Sequence, residues 1–346
     1  MKKYWSRKAA ALTPYVAGEQ PQQKLIKLNT NENAYPPSPR AVAAAAAALG
    51  RLRLYPDPDS ADLRAAIAQL HGVEPENIFC SNGSDEALAF SFMAFFDPGV
   101  PVRTYDITYS FYPVWARIFD LTLEEIPLKI DFGADVEAMT GASNIVIANP
   151  NAPTGIAEDA DDIVRMARST KGVAVVDEAY GDFGCESMAG QAAHLDNLVV
   201  VRTLSKSHSL AGMRVGYAVA NKNLVAALGA VKDSFNSYPL DAVAQAVAAA
   251  AIRDRGYYDD VANKIKETRT RTTDALQKMG LPVLPSSANF IFVRFGDAQA
   301  VFRELRERGI LVRYFAGGRT GEYLRVTIGT DAEMDAFLTA VSEIVR

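Results

Sequence analysis

Between about residues 75 and 220 the sequence repeats one texture: a short β-branched apolar run, a turn of polar or glycine residues, then a helical pattern. The candidate buried strands are Asn77–Cys80, Asn144–Ala148, Gly172–Val176, Leu198–Arg202 and Val215–Ala220. Unbroken apolar runs imply burial on both faces, so the alternation predicts an α/β chain with a mostly parallel sheet sandwiched by helices. In sheets of that kind ligands bind beyond the carboxyl ends of the strands, where loops enter helix N-termini. Polar residues that follow these runs are therefore the first candidates for chemistry.

After about Ser237 the texture changes. Helical periods cover 239–280, followed by a strand (Asn289–Arg294), a helix (Ala298–Arg308), short strands near Leu311–Arg313 and Tyr323–Ile328, and a last helix. This predicts a smaller α+β unit. The Asn- and Pro-rich opening, LNTNENAYPPSP, has little periodicity and reads as an arm that packs on the smaller unit or on a partner subunit. The expected division is an arm over 1–40, a large domain over 41–236 and a small domain over 237–346, and a chain of 346 residues is long enough for two cores.

Composition narrows the function. Hydrophobic residues at 49% and charged residues at 22% exclude a disordered chain. Lysine and arginine number 36 against 41 acidic residues, a net charge of −5, which argues against nucleic acid as the main partner. Cys80 and Cys185 are too few for an oxidised framework, and with His71, His194 and His208 they show no metal-ligand spacing, so no metal is expected. No run approaches ~18 apolar residues, and MKKYWSRKAA lacks the apolar stretch of a secretory signal. The expected location is cytoplasmic, away from any membrane. GxGxxG, Walker, HExxH, CxxC and GxSxG patterns are all absent, which leaves lysine, tyrosine, aspartate and arginine as actors.

Four segments place such residues after strands. In Arg202-Thr-Leu-Ser-Lys-Ser-His-Ser-Leu-Ala-Gly-Met-Arg214, hydroxyls of Thr203 and Ser205 and the Arg214 cation surround Lys206. That set suits a phosphate beside an amine nucleophile; taken alone, such a segment is more often a solvated turn with incidental charges. Asp177 directly follows a buried run, with Tyr180 three residues on. A carboxylate there is costly without a cationic partner such as a protonated pyridine nitrogen, unless it merely caps a loop. Asn149-Pro-Asn-Ala-Pro-Thr-Gly155 is a rigid turn. Gly83-Ser84-Asp85 opens a helix whose free N–H groups suit an anion, although any capped helix begins in this way.

Taken together and in this order, the segments resemble the N-x-P-T-G, D-E-A-Y and S-K-x7-R motifs of the fold-type I, class I/II pyridoxal-phosphate aminotransferases. Thr13-Pro-Tyr15, the L-N-x-N-E-N opening, Tyr55-Pro-Asp57, Asp106-Ile-Thr-Tyr-Ser-Phe-Tyr112, Leu311-Val-Arg313 and Leu324-Arg-Val-Thr-Ile-Gly329 extend the likeness over nearly the whole chain and are similar to the histidinol-phosphate aminotransferase group.

The resemblance implies a pyridoxal 5'-phosphate enzyme that transaminates L-histidinol phosphate with 2-oxoglutarate, giving imidazole acetol phosphate and L-glutamate in histidine biosynthesis. It implies that Lys206 binds the cofactor covalently and moves the proton, that Asp177 meets the pyridine nitrogen, and that Tyr180 meets the ring oxygen. Tyr109 is expected on the ring face. Gly83, Ser84, Asp85, Thr203, Ser205 and Arg214 are expected at the cofactor phosphate, joined by Tyr55 from the neighbouring subunit of a homodimer with shared active sites. Arg325 is expected at the substrate α-carboxylate, Tyr15 and Arg313 at the substrate phosphate, and Asn31 and Asn33 in the same cleft. One departure matters. The asparagine usual before Pro153 is Ala152 here, so either Asn151 moves into that role or Tyr180 acts alone. Rivals on the same scaffold are an aromatic-amino-acid aminotransferase and a threonine-phosphate decarboxylase; a non-catalytic binding protein is the rival of another class.

Overall fold

The computed structural model describes residues 4–14, 18–21 and 25–345. The arm contributes β1 (Ile26–Lys27). A seven-stranded sheet follows, formed by β2 (Ile78–Ser81), β3 (Val102–Tyr105), β4 (Leu123–Ile126), β5 (Asn144–Ala148), β6 (Ala174–Asp177), β7 (Leu198–Thr203) and β8 (Gly216–Val219) in the spatial order β2-β8-β7-β6-β5-β3-β4. The five predicted runs are all strands of this sheet, within one or two residues at each end. Alternate residues feed opposite cores: Ile145, Ile147, Val176 and Val200 pack on one face, and Val146, Val175, Val199 and Val201 on the other. Both faces are covered by helices, as unbroken apolar strands require.

The run pattern passed over β3 and β4. Strand β4 is an edge strand, Leu-Glu-Glu-Ile, only part-buried, and so it lacks an apolar run to betray it. The sheet also carries a reversal: β8 pairs antiparallel with β7 and with β2, whereas the remaining pairs are parallel. The loop from Thr203 to Gly216 holds only a short 3-10 turn at Ala211–Met213, too little chain for a helical crossover to a parallel neighbour. The chain turns straight back, Thr203 faces Gly216 in register, and Arg214 is returned to the end of the strand it left.

A second sheet is made by β9 (Phe290–Arg294), β11 (Arg313–Tyr314) and β12 (Tyr323–Thr327), antiparallel in the order β11-β12-β9. Strand β10 (Ile310–Leu311) instead pairs parallel with β1, which ties the arm to the C-terminal elements. These elements share a core with the helices Arg255–Lys278, Ala298–Glu307 and Asp331–Ile344. The helical stretch expected over 239–280 is two helices, broken at Asp254. The first of them, Ala242–Arg253, packs on the helices Pro39–Ala48 and Ala61–His71, and its Val247, Ala248 and Ile252 belong to the core of the larger sheet. No helix among the described residues is long and apolar enough to cross a membrane, and they form no metal-binding cluster of His, Cys, Asp or Glu.

Candidate active site

The carboxyl ends of β5, β6 and β7, the N-terminus of the helix Ser84–Phe95, the arm and the second sheet enclose a cavity of about 360 Å³. Its floor is the end of β6. Asp177 is 4% exposed, accepts from Ala179 N at 3.0 Å and is reached by the Tyr112 hydroxyl at 3.5 Å. Burial pushes its carboxyl up to about 7, with the nearby Asp85 charge adding to the shift, and the N–H of Ala179 only partly offsets this. No lysine or arginine pairs with Asp177 among the described residues.

Lys206 enters from the loop after β7. Its Nζ donates to the Thr30 carbonyl at 3.3 Å and stands 5.8 Å from the centroid of the Tyr180 ring. Tyr180 packs edge-on against Phe290, centroids 5.0 Å apart, and its hydroxyl accepts from Asn31 Nδ2 at 2.9 Å. Asn33 braces the lysine loop from the arm, donating to the carbonyls of Lys206 and Ser207 at 2.9 and 3.2 Å.

One end of the cavity is built for an anion. The helix Ser84–Phe95 starts at Gly83, whose φ of 80° favours glycine and which supplies no side-chain cap, so the first N–H groups of the helix are left for a ligand. A Cβ on Gly216 would lie 2.3 Å from Ser84 N, so only glycine lets β8 close on this turn. Thr203 Oγ1 donates to Ser205 Oγ at 3.0 Å, and Arg214 reaches Ser205 Oγ and Asp85 at 3.5 Å each. The Arg214–Asp85 pair is loose, with side chains 48% and 42% exposed, and holds little energy of its own. The other Asp85 oxygen accepts from the Tyr109 hydroxyl at 2.9 Å, and burial with that carboxylate holds the Tyr109 phenol well above its ordinary range.

At the opposite wall Arg313 and Arg325 face one another in register across β11 and β12. Arg325 lies 5.3 Å from the Phe290 ring centroid and 5.4 Å from Phe315, Arg313 lies 5.6 Å from Phe315, and Arg325 Nη2 donates to Asn29 O at 3.1 Å. Two guanidinium groups on one wall, supported by aromatic faces, suit a ligand with an anionic group at that end.

The sequence model of the family described as "Aminotransferase class I and II" matches residues 23–341. The chain belongs to that family. Over 99% of both chains it is 50% identical to histidinol-phosphate aminotransferase 1 of Bordetella parapertussis. It is 49% identical to histidinol-phosphate aminotransferase 2 of Thiobacillus denitrificans, covering 99% of this chain and 98% of that one. The solved histidinol-phosphate aminotransferase of Sinorhizobium meliloti, in complex with pyridoxal-5'-phosphate, aligns with a TM-score of 0.90 at 26% identity over 99% of this chain and 98% of that one.

In this aminotransferase the cavity gathers most of the residues singled out in the sequence: Ser84, Asp85, Tyr109, Asp177, Tyr180, Thr203, Ser205, Lys206, Arg214, Asn31, Arg313 and Arg325 all line it. Gly83 and Asn33 stand just behind the wall. Asn151 does not reach it. Its Oδ1 accepts from Thr108 at 2.8 Å and its Nδ2 donates to Ile107 O at 2.9 Å, so the amide is committed to the turn and Ala152 faces the cavity instead. Tyr55 lies elsewhere, 82% exposed and stacked on Tyr238 with centroids 4.8 Å apart, and Tyr15 falls outside the described residues. Residue reasoning missed Thr30 and Glu32 of the arm, Tyr112 and the aromatic supports Phe290 and Phe315. Thr30 and Glu32 lie inside the L-N-x-N-E-N opening and Tyr112 ends the Asp106–Tyr112 segment, and those two motifs are the signal that could have found them.

Proposed function

We propose that the chain is a pyridoxal 5'-phosphate-dependent aminotransferase that moves the amino group of L-histidinol phosphate to 2-oxoglutarate, yielding L-glutamate. The observation that carries this reading is the register pair Arg313–Arg325 on the wall of the cavity that also holds the Lys206 amine. Histidinol phosphate brings a phosphate and no carboxylate, and 2-oxoglutarate brings two carboxylates. A site with two cations at one end can serve both.

The residues present fit the cofactor. Asp177 is a buried carboxyl with no cationic partner among the described residues, and a protonated pyridine nitrogen would supply one. The glycine-lined turn at Gly83 and Gly216, with Thr203, Ser205 and Arg214, suits its phosphate, and Tyr109 its ring face. When bound, pyridoxal 5'-phosphate supplies a sink for the electron pair left as a substrate C–H bond breaks. Lys206 would hold the cofactor and move the proton at the amino-bearing carbon of the substrate, Asp177 would pair with the ring nitrogen, and Tyr180 would offer its hydroxyl to the ring oxygen. Arg325 takes the α-carboxylate of the dicarboxylate substrate. Arg313, with Tyr15 from the arm, takes the substrate phosphate or the distal carboxylate.

The chain divides, on this reading, into an arm, a large cofactor-binding domain and a small domain. The packing of Ala242–Arg253 on the larger core supports a boundary near Asp254 in place of 237. A homodimer with shared sites, working in the cytoplasm, completes the proposal. The exposed Leu49, Leu52, Leu54, Tyr55, Phe235 and Tyr238 support it as apolar surface a partner would cover. The deciding experiment is a panel of histidinol phosphate, phenylalanine, tyrosine and aspartate as amino donors to 2-oxoglutarate. Histidinol phosphate is expected to give the highest kcat/KM; preference for an unphosphorylated donor overturns the substrate assignment.

A further inference from the structure

We infer that Asn31 is a positioning residue that aims the Tyr180 hydroxyl proton into the cavity, and so compensates for the ring-oxygen contact that Ala152 cannot make. The inference rests on the cofactor reading above. Asn31 is 1% exposed, and every polar group it carries is engaged. Its N–H donates to Thr327 Oγ1 at 3.0 Å, its carbonyl accepts from Asn289 Nδ2 at 3.0 Å, and its Oδ1 accepts from Thr327 Oγ1 at 2.9 Å. Because Thr327 occupies Oδ1, the amide presents Nδ2 to Tyr180, 2.9 Å away. A phenol oxygen carries one proton. As it accepts from Asn31, that proton is left to be donated elsewhere. The edge-on packing of Tyr180 against Phe290 fixes the ring, and Lys206 and the cavity lie on its open side. Asn151, the other candidate for the contact, is spent on Thr108 and Ile107.

A donor at the cofactor's phenolic oxygen would stabilise that oxygen as an anion, which would ease loss of the proton from the nitrogen through which Lys206 would hold the cofactor. Weakening the donor therefore raises the apparent pKa of the visible chromophore. The charged groups that line the cavity beside this bond are Lys206, Asp177, Asp85, Glu32, Arg214, Arg313 and Arg325, and the variants below leave all of them in place. Asn31 has a φ of 56°, a left-handed conformation that aspartate and glycine also accept, so both substitutions keep the backbone.

The test is a spectral pH titration of the purified holoenzymes. Asn31→Asp puts an acceptor where a donor stood and turns the Tyr180 proton away from the cavity, so the apparent pKa should rise by about 1 unit. Asn31→Gly frees the hydroxyl without reversing it and should raise the pKa by about 0.3 unit. A new carboxylate would also raise the pKa through its charge alone. Each change is therefore repeated in a Tyr180→Phe background, where the Asp shift should fall to less than half and the Gly shift should vanish. Equal shifts in both backgrounds, or no Gly shift at all, overturn the inference, and the Gly pair decides even if Asn31→Asp fails to fold. A wild-type protein without a visible band when supplied with pyridoxal 5'-phosphate overturns the cofactor reading itself.

Discussion

Arg313 and Arg325 are Cα partners on adjacent antiparallel strands, and both guanidinium groups lie against the ring of Phe315. Two cations on one wall of the cavity suit an anionic group of the ligand at that end. Arg313→Ala should cut kcat/KM for histidinol phosphate by about 30- to 1,000-fold, the equivalent of roughly 2–4 kcal/mol for a charge-assisted contact. Arg325→Ala should damage the 2-oxoglutarate half-reaction more than the histidinol phosphate one. Single-turnover traces of each half-reaction measure both; equal losses for phosphorylated and unphosphorylated donors in Arg313→Ala would place the phosphate elsewhere.

Asp177 sets function against stability. Its carboxyl is raised to about 7 from an ordinary value of 3.8, so the folded chain holds that proton more tightly than the unfolded one. The contribution is fully present below about 4 and is lost as pH rises through about 7. Cofactor-free Asp177→Asn should accordingly be more stable than wild type at pH 8, by on the order of 2–4 kcal/mol, with the gap narrowing as pH falls toward 4. The same variant should lose turnover by on the order of 100-fold or more. Thermal unfolding of both apoproteins across this pH range is the check, and a gap independent of pH would show that the carboxyl is not the cause.

Lys206 is expected to be the residue joined to the cofactor. Borohydride treatment of the holoenzyme should bleach the visible band and leave the label on the peptide that contains Lys206. Lys206→Ala should abolish transamination while the far-ultraviolet dichroism is retained. A label on another lysine would refute the assignment.

Behind the site, Arg202 is almost fully buried and ties the loops after β6 and β7 together. It donates to Glu178 at 2.6 Å and to Ser187 at 2.7 Å, and it pairs with Asp182, which also accepts from Ser207. Burial opposes the charge on Asp182, but Arg202 prevails and holds the carboxyl down to about 2. Arg202→Met would leave the fully buried Glu178 carboxylate, and the part-exposed Asp182 beside it, without their cation, at a cost of about 3–5 kcal/mol that comes mainly from Glu178. Denaturant unfolding at pH 7 measures it, and a loss under about 1 kcal/mol would mean that the network relaxes without harm.

Tyr55 offers a test of shared sites, since it is exposed in one chain and stands apart from the cavity. If it completes a partner's phosphate site, Tyr55→Ala and Lys206→Ala homodimers should both be impaired. Mixed heterodimers should regain activity at the one site that has both native residues. Absence of any recovery on mixing and reassembly would exclude the shared site.

The sequence by itself determined the sheet strands buried on both faces and the residues that follow them, because each β-branched run must be covered on two sides and its polar end must lie at the ligand edge. Asp177, Lys206 and Arg214 were legible for that reason. Strand β4 was not, since an edge strand such as Leu123–Ile126 needs no apolar run. Neither was β3, an inner strand whose Val-Arg-Thr-Tyr sequence is interrupted by two polar residues. Tertiary structure alone decided where the amides of Asn31 and Asn151 point. Both are asparagines in turn-rich segments, and the difference lies in long-range partners, Thr327 and Tyr180 for one and Thr108 and Ile107 for the other. The same holds for the juxtaposition of Arg313 and Arg325, twelve residues apart in sequence and brought opposite by the register of β11 and β12. Local sequence sets propensity and burial, whereas the direction of a hydrogen bond depends on groups that only folding brings within 3 Å.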